Sequence, residues 1–116
     1  MTGLWHRVEV TDQAYEAIRS HVHYIAFEQK ALLNAKRWLE GLWDAIDSLE
    51  KLPKRCRLAP ENNYRSYEIR QLDYGDYAIL FTIDDDRQLV YVVGFRHGKQ
   101  LPRANLLPDE PRSNPK

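Results

Sequence analysis

Between His6 and Thr11, Val8 and Val10 alternate with Arg7 and Glu9, the two-residue period of a half-buried strand. The period then changes. Thr11 can cap the free amides of a helix, Asp12 suits the positive end of its dipole, and Ala14, Ile18, Val22 and Ile25 recur at helical spacing, which predicts a helix from Asp12 to Phe27. A second helix is more regular: Leu32, Ala35, Leu39, Leu42, Ile46 and Leu49 step by three and four over about five turns, and Pro53 halts it. Only Glu28 to Lys30 separate the two, so they fold back as a hairpin.

Beyond Pro53, residues Pro60 to Asn63 read as loop and Arg65 to Leu72 as an alternating strand. Asp73-Tyr74-Gly75-Asp76 supplies turn chemistry, Tyr77 to Ile83 is an apolar, β-rich run, and Asp84-Asp85-Asp86 makes the next turn. Leu89 to Phe95 is the last strand, mostly buried, with Arg96-His97-Gly98-Lys99 just past its end. The order strand, two helices, three strands predicts an α+β domain, β-α-α-β-β-β, with a helical hairpin on a mainly antiparallel four-stranded sheet over residues 1–101. From Pro102 onward the chain holds four of its six prolines and reads as a mobile tail over 102–116.

Composition narrows the function classes. The 116 residues carry 17 Lys+Arg against 17 Asp+Glu, a net charge of zero, which argues against holding nucleic acid by overall attraction. The cations are unevenly spread: Lys51 to Arg70 contains six (Lys51, Lys54, Arg55, Arg57, Arg65, Arg70) and two anions, a basic patch. Cys56 has no partner within the chain, which excludes an internal disulfide and fits a reducing compartment. Its neighbours Arg55 and Arg57 are of the kind that lower a thiol pKa. No run approaches the roughly 18 apolar residues of a membrane span, and Met1 to Val10 lacks a secretory apolar segment, so the expected location is the cytosol. His21 and His23 resemble a metal pair, but helical residues two apart point about 200° apart, and neither a metal nor a cofactor is expected. Trp38 and Trp43 border the apolar stripe of the second helix and read as core rather than as a partner patch.

The element order, together with Val10-Thr11-Asp12-Gln13-Ala14, Ala45-Ile46-Asp47-Ser48-Leu49-Glu50-Lys51-Leu52-Pro53, Ile69-Arg70-Gln71-Leu72, Tyr77-Ala78-Ile79-Leu80-Phe81 and Val93-Gly94-Phe95-Arg96-His97-Gly98-Lys99, resembles the RelE/ParE superfamily of toxins from type II toxin-antitoxin pairs, the plasmid stabilisation proteins. The resemblance runs from Val8 to Pro102. It implies a cognate antitoxin as partner, in a heterotetramer or beside a homodimer, and one of two targets. RelE-like members cleave messenger RNA in the ribosome without metal, and ParE-like members poison DNA gyrase. The fold alone does not choose between them.

Metal-free RNA cleavage needs a base, an acid and cations around the reacting phosphate. The resemblance offers Arg70, Arg96 and His97 as catalytic candidates, Arg65, Lys99 and Glu68 as target contacts, and Glu68 also as a base. Two features depart from the RNase pattern: Ala78 stands where family chains frequently carry Arg, and Gly98 to Arg103 lacks the expected tyrosine. These departures and the neutral charge favour gyrase, with the mRNA endoribonuclease as the alternative and an inactive antitoxin-binding member as a third class. For the cationic cluster the bland reading is a solvated sheet edge paired to Glu68 or to the Asp84–Asp86 turn. With Arg96 and His97 taken to lie beyond the strand, alanine there is expected to leave stability nearly unchanged.

Overall fold

The computed structural model describes residues 5–64 and 66–97, residues 63 and 64 by their backbone only. Arg65, Lys99, the end of the expected domain and the tail after it lie outside the described residues. Strand β1 (Arg7–Val10) leads into helix α1 (Asp12–His23), where Thr11 accepts the amide of Ala14 at 3.3 Å and closes the helix start as its position predicts. The last turn of this helix widens into a π-helical segment, Tyr24–Glu28. Lys30 then takes a left-handed backbone (φ 52°), and α2 (Leu32–Asp47) returns antiparallel before a 3₁₀ turn, Ser48–Glu50. Short 3₁₀ turns at Pro53–Arg55 and Pro60–Tyr64 cross to β2 (Arg70–Tyr74), β3 (Tyr77–Asp84) and β4 (Leu89–His97).

The sheet order is β1-β4-β3-β2, parallel between β1 and β4 and antiparallel elsewhere. The predicted topology holds: two helices pack on one face of a mostly antiparallel sheet. Ala14 and Ile18 of α1, Leu42 and Ile46 of α2, Ile79 and Phe81 of β3, and Val90 and Val92 of β4 form the core between the two layers. Ala78, Leu80, Leu89, Tyr91 and Val93 face the other way, under a strap that contributes Ala59 and Tyr67. No described helix is long and apolar enough to cross a membrane.

Several element ends differ from the sequence reading, each for a local reason. The strand expected from Arg65 begins only at Arg70, because the Ile69 amide is taken by the Asn62 side chain at 2.8 Å and its carbonyl by Ala59. Pro60 to Asn63 is a 3₁₀ turn rather than open loop. Asp73 and Tyr74 stay in the strand, so the β2–β3 hairpin turns on Gly75-Asp76 alone, with Gly75 at φ +57° as a two-residue turn requires. Strand β4 continues through Arg96 and His97, which pair with Ala78 and Tyr77. Its pairing with β3 slips by one residue at Leu80/Phe81, so Val93 is an extra residue on β4. That bulge resets the alternation. Phe95 returns to the helix side, Arg96 faces away from the helices, and His97 faces them.

Helix and sheet meet closely at Gly41. The Tyr74 hydroxyl donates to the Trp38 carbonyl at 2.8 Å, and a β-carbon on Gly41 would overlap that hydroxyl and come within 3.2 Å of the ring carbon bearing it. Alanine at an open helix site gains about 1 kcal/mol over glycine, but overpacking costs about 1–3 kcal/mol and the displaced hydrogen bond about 1. Gly41→Ala is therefore expected to lose about 1–2 kcal/mol in chemical denaturation. The same change in a Tyr74→Phe background should be close to neutral, and an equal loss in both backgrounds would refute this account of the contact.

Candidate functional site

Three surfaces carry chemistry. On the outer sheet face, Arg96 is enclosed: its Nε donates to Glu61 Oε2, its Nη2 donates to Glu61 Oε1 at 3.2 Å, and Nη2 also reaches Gln71 Oε1 at 3.3 Å. The two charged side chains are only 11% and 2% exposed. The Gln71 amide continues the chain by donating to Asp73 Oδ1 at 2.8 Å, and Arg57 donates to Asp73 Oδ2 at 3.0 Å. These bonds, the Gln71 amide first and Arg57 after it, hold the Asp73 carboxyl below its usual range. The network borders a polar groove of about 710 Å³, rimmed by Pro60, Asp76 and His97.

His97, on the rim of that groove, also joins a second environment. On the helix side, its ring meets Tyr77 edge-on at 4.9 Å, and Tyr77 stacks on Phe95 at 5.1 Å. Trp38 and His21 complete this aromatic cluster, at 5.6 Å and 4.6 Å from Tyr77. Burial, and then the nearby His97, lower the His21 pKa.

The third surface is apolar. The outer sides of α1, the π-helical segment and α2 enclose a groove of about 1020 Å³ lined by Tyr15, Val22, Phe27, Leu32, Leu33 and Trp43, among others. Phe27, Leu32 and Leu33 are 63%, 70% and 58% exposed. The widened π-helical turn carries Phe27. Arg19 and Lys36 give the groove a cationic rim, with Glu16 and His23 beside them.

The sequence candidates are not gathered at one point. Arg70 donates to the carbonyls of Cys56 (2.6 Å) and Lys54 (3.3 Å) and to Glu68 (3.2 Å), tying the strap to β2. It stands opposite Phe81, whereas His97 stands opposite Tyr77 four residues away, about 13 Å along the strand. Arg96 lies on the other face. Glu68 pairs with Arg70, whose own side chain is only 18% exposed, so this half of the sheet-edge pairing is not solvated. The expectation that alanine at Arg96 leaves stability unchanged rested on a position beyond the strand, and the buried pair with Glu61 reverses it. Trp38 and Trp43 do pack on the core, although Trp43 also lines the groove. His21 and His23 diverge as their spacing requires: one joins the aromatic cluster and the other meets Phe27 at 4.6 Å. Among the described residues no three His, Cys, Asp or Glu side chains gather to hold a metal ion. The Cys56 thiol is pushed up rather than down, because burial outweighs Arg55 and Arg70.

Glu61, Gln71, Asp73 and Arg57 were not singled out as site residues by the sequence. Arg57 stood out only as one of six cations in the basic stretch and Glu61 as one of its two acids; nothing local reveals that Glu61 closes on a residue 35 positions away.

Residues 8–102 match the family model of the ParE toxin of type II toxin-antitoxin system, parDE. Among solved structures, the chromosomal ParDE TA system from P. aeruginosa superposes with a TM-score of 0.60 at 10% identity, covering 80% of this chain and 96% of that one. The archaeal RelE-RelB complex from Pyrococcus horikoshii OT3 aligns at 0.48 and 15% identity, over 84% of this chain and 100% of the other. No curated protein sequence matches.

Proposed function

The chain belongs to the ParE toxin family, and on that premise we propose that this type II toxin acts on DNA gyrase and is neutralised by a cognate antitoxin seated in the groove between its helices. The observation that carries the choice of gyrase is the capture of Arg96 by Glu61. Cleavage of RNA without metal requires base, acid and cations converging on one phosphate. Here Arg96 gives its guanidinium to a carboxylate and an amide of its own chain, Arg70 gives its own to backbone carbonyls, and His97, on the groove rim, turns its ring against Tyr77. This dispersal, with Ala78 in the strand beside Arg96, supports a protein target over messenger RNA. The polar groove that Arg96 borders, with His97 on its rim, is the target surface in this reading.

The groove supports the partner assignment. Exposed Phe27, Leu32 and Leu33 at the meeting of two helices suit the apolar side of an amphipathic segment. Induced expression should halt bacterial growth, and co-expression of its cognate antitoxin should restore it. Normal growth with verified soluble protein would instead assign the chain to the inactive, antitoxin-binding class.

A further inference from the structure

We propose that His21 is an acid-sensitive clasp between the helical hairpin and the sheet, holding α1 down while neutral and releasing its C-terminal end when protonated. The imidazole projects from the last turn of α1 into rings supplied by the other elements of the domain. Its centroid lies 4.7 Å from Trp38 of α2, 4.6 Å from Tyr77 of β3, 5.9 Å from Phe95 of β4 and 6.2 Å from Tyr24 of the π-helical segment. Nε2 is buried there with no hydrogen-bond partner. An unpaired acceptor nitrogen is tolerable among rings, whereas an imidazolium would place a charged donor in the same apolar contact.

The groups facing it do not compensate for that charge. Trp38 and Phe95 bring no charge, and Tyr77 is neutral at ordinary pH, its pKa raised by burial. His97, against the same Tyr77, adds a second imidazole whose protonation would repel the first. Asp76 precedes Tyr77 in the β2–β3 turn, and Tyr74 touches Trp38 on its far side at 5.8 Å. The rings offer an imidazolium some cation–π attraction, while the hydration lost on burial and the nearby second histidine act against the charge and lower the His21 pKa.

The backbone next to the clasp is built to give. Directly after His23 the helix leaves α geometry for the π-helical turn, and Lys30 has a positive φ. Ala26 and Phe27, which line the outer groove, ride on this segment, and Val22 lies in the helical turn just before it. Acid release of His21 would therefore reshape the groove from behind, without any change in the residues facing it.

Because the folded pKa lies below the unfolded one, the unfolded chain binds more protons. The stability due to neutral His21 is thus complete above about pH 6.5 and is lost as pH falls through the folded pKa. Below both values, each unit of difference lowers the folding constant about tenfold. The test compares melting temperatures at pH 7.5 and 5.5 for the full chain, His21→Phe, His97→Gln and, as an exposed control, His23→Gln. The wild type and His23→Gln should lose melting temperature on acidification, His21→Phe should lose distinctly less, and His97→Gln should fall between. Amide exchange, corrected for its intrinsic pH dependence, should quicken across residues 18–28 at pH 5.5 in the wild type and His23→Gln but not in His21→Phe. Equal losses in the wild type and His21→Phe would overturn the proposal. If His21→Phe does not fold, the wild-type His21 resonances decide: titration at or above pH 6.5 overturns the clasp, and titration below it supports it.

Discussion

Replacing Glu61 by leucine or Arg96 by methionine alone is expected to cost about 3–5 kcal/mol, because each change leaves the opposite charge buried without its counterpart. For a domain of this size such a loss lowers the melting temperature by more than about 10 °C. The double replacement should recover most of it, since two apolar side chains of similar volume need no desolvated partner. A double-mutant cycle at low and high salt measures the coupling, and burial should make it nearly insensitive to ionic strength. Exposed pairs set the contrast: Arg19–Glu16, at 64% and 67% exposure, should be worth less than about 1 kcal/mol and weaken in salt. A coupling between Glu61 and Arg96 as small as that would mean that the pair is open in solution, and Arg96 would return as a free cation on the sheet. This outcome would also restore the main ingredient of an RNase site.

The second large effect concerns the groove. Aspartate in place of Phe27 or Leu33 should abolish rescue by the antitoxin while leaving toxicity and thermal stability close to those of the wild type. Both side chains are more than half exposed, so a charge there opens no core cavity. In an interface, however, an apolar anchor is typically worth about 2 kcal/mol or more, roughly a 30-fold loss of affinity. Titration calorimetry with the purified antitoxin would read the loss directly. Undiminished affinity in both variants would place the antitoxin on another surface.

Much of the fold was legible because it depends on local pattern. The alternation at Val8 and Val10, the Thr11 cap and the stripe from Leu32 to Leu49 each act over a few residues, and each is seen as expected, the stripe's last member lying in the 3₁₀ turn. The site was less legible because its decisive features are non-local. The extra residue Val93 in β4 cannot be recognised in a run of apolar residues, yet it decides which side of the sheet Arg96 takes and which His97 takes. Glu61 sits in a stretch that reads as loop, and its value comes from a partner across the fold. Arg70 looked like a free cation because backbone carbonyls, the acceptors that absorb it, leave no mark in a sequence.

The most direct measurement places the purified protein with DNA gyrase and, in parallel, with ribosomes translating a defined messenger. The account predicts that supercoiling is inhibited, that the messenger stays intact, and that adding the antitoxin restores supercoiling. Cleavage of the messenger in the ribosomal A site with gyrase unaffected would contradict it.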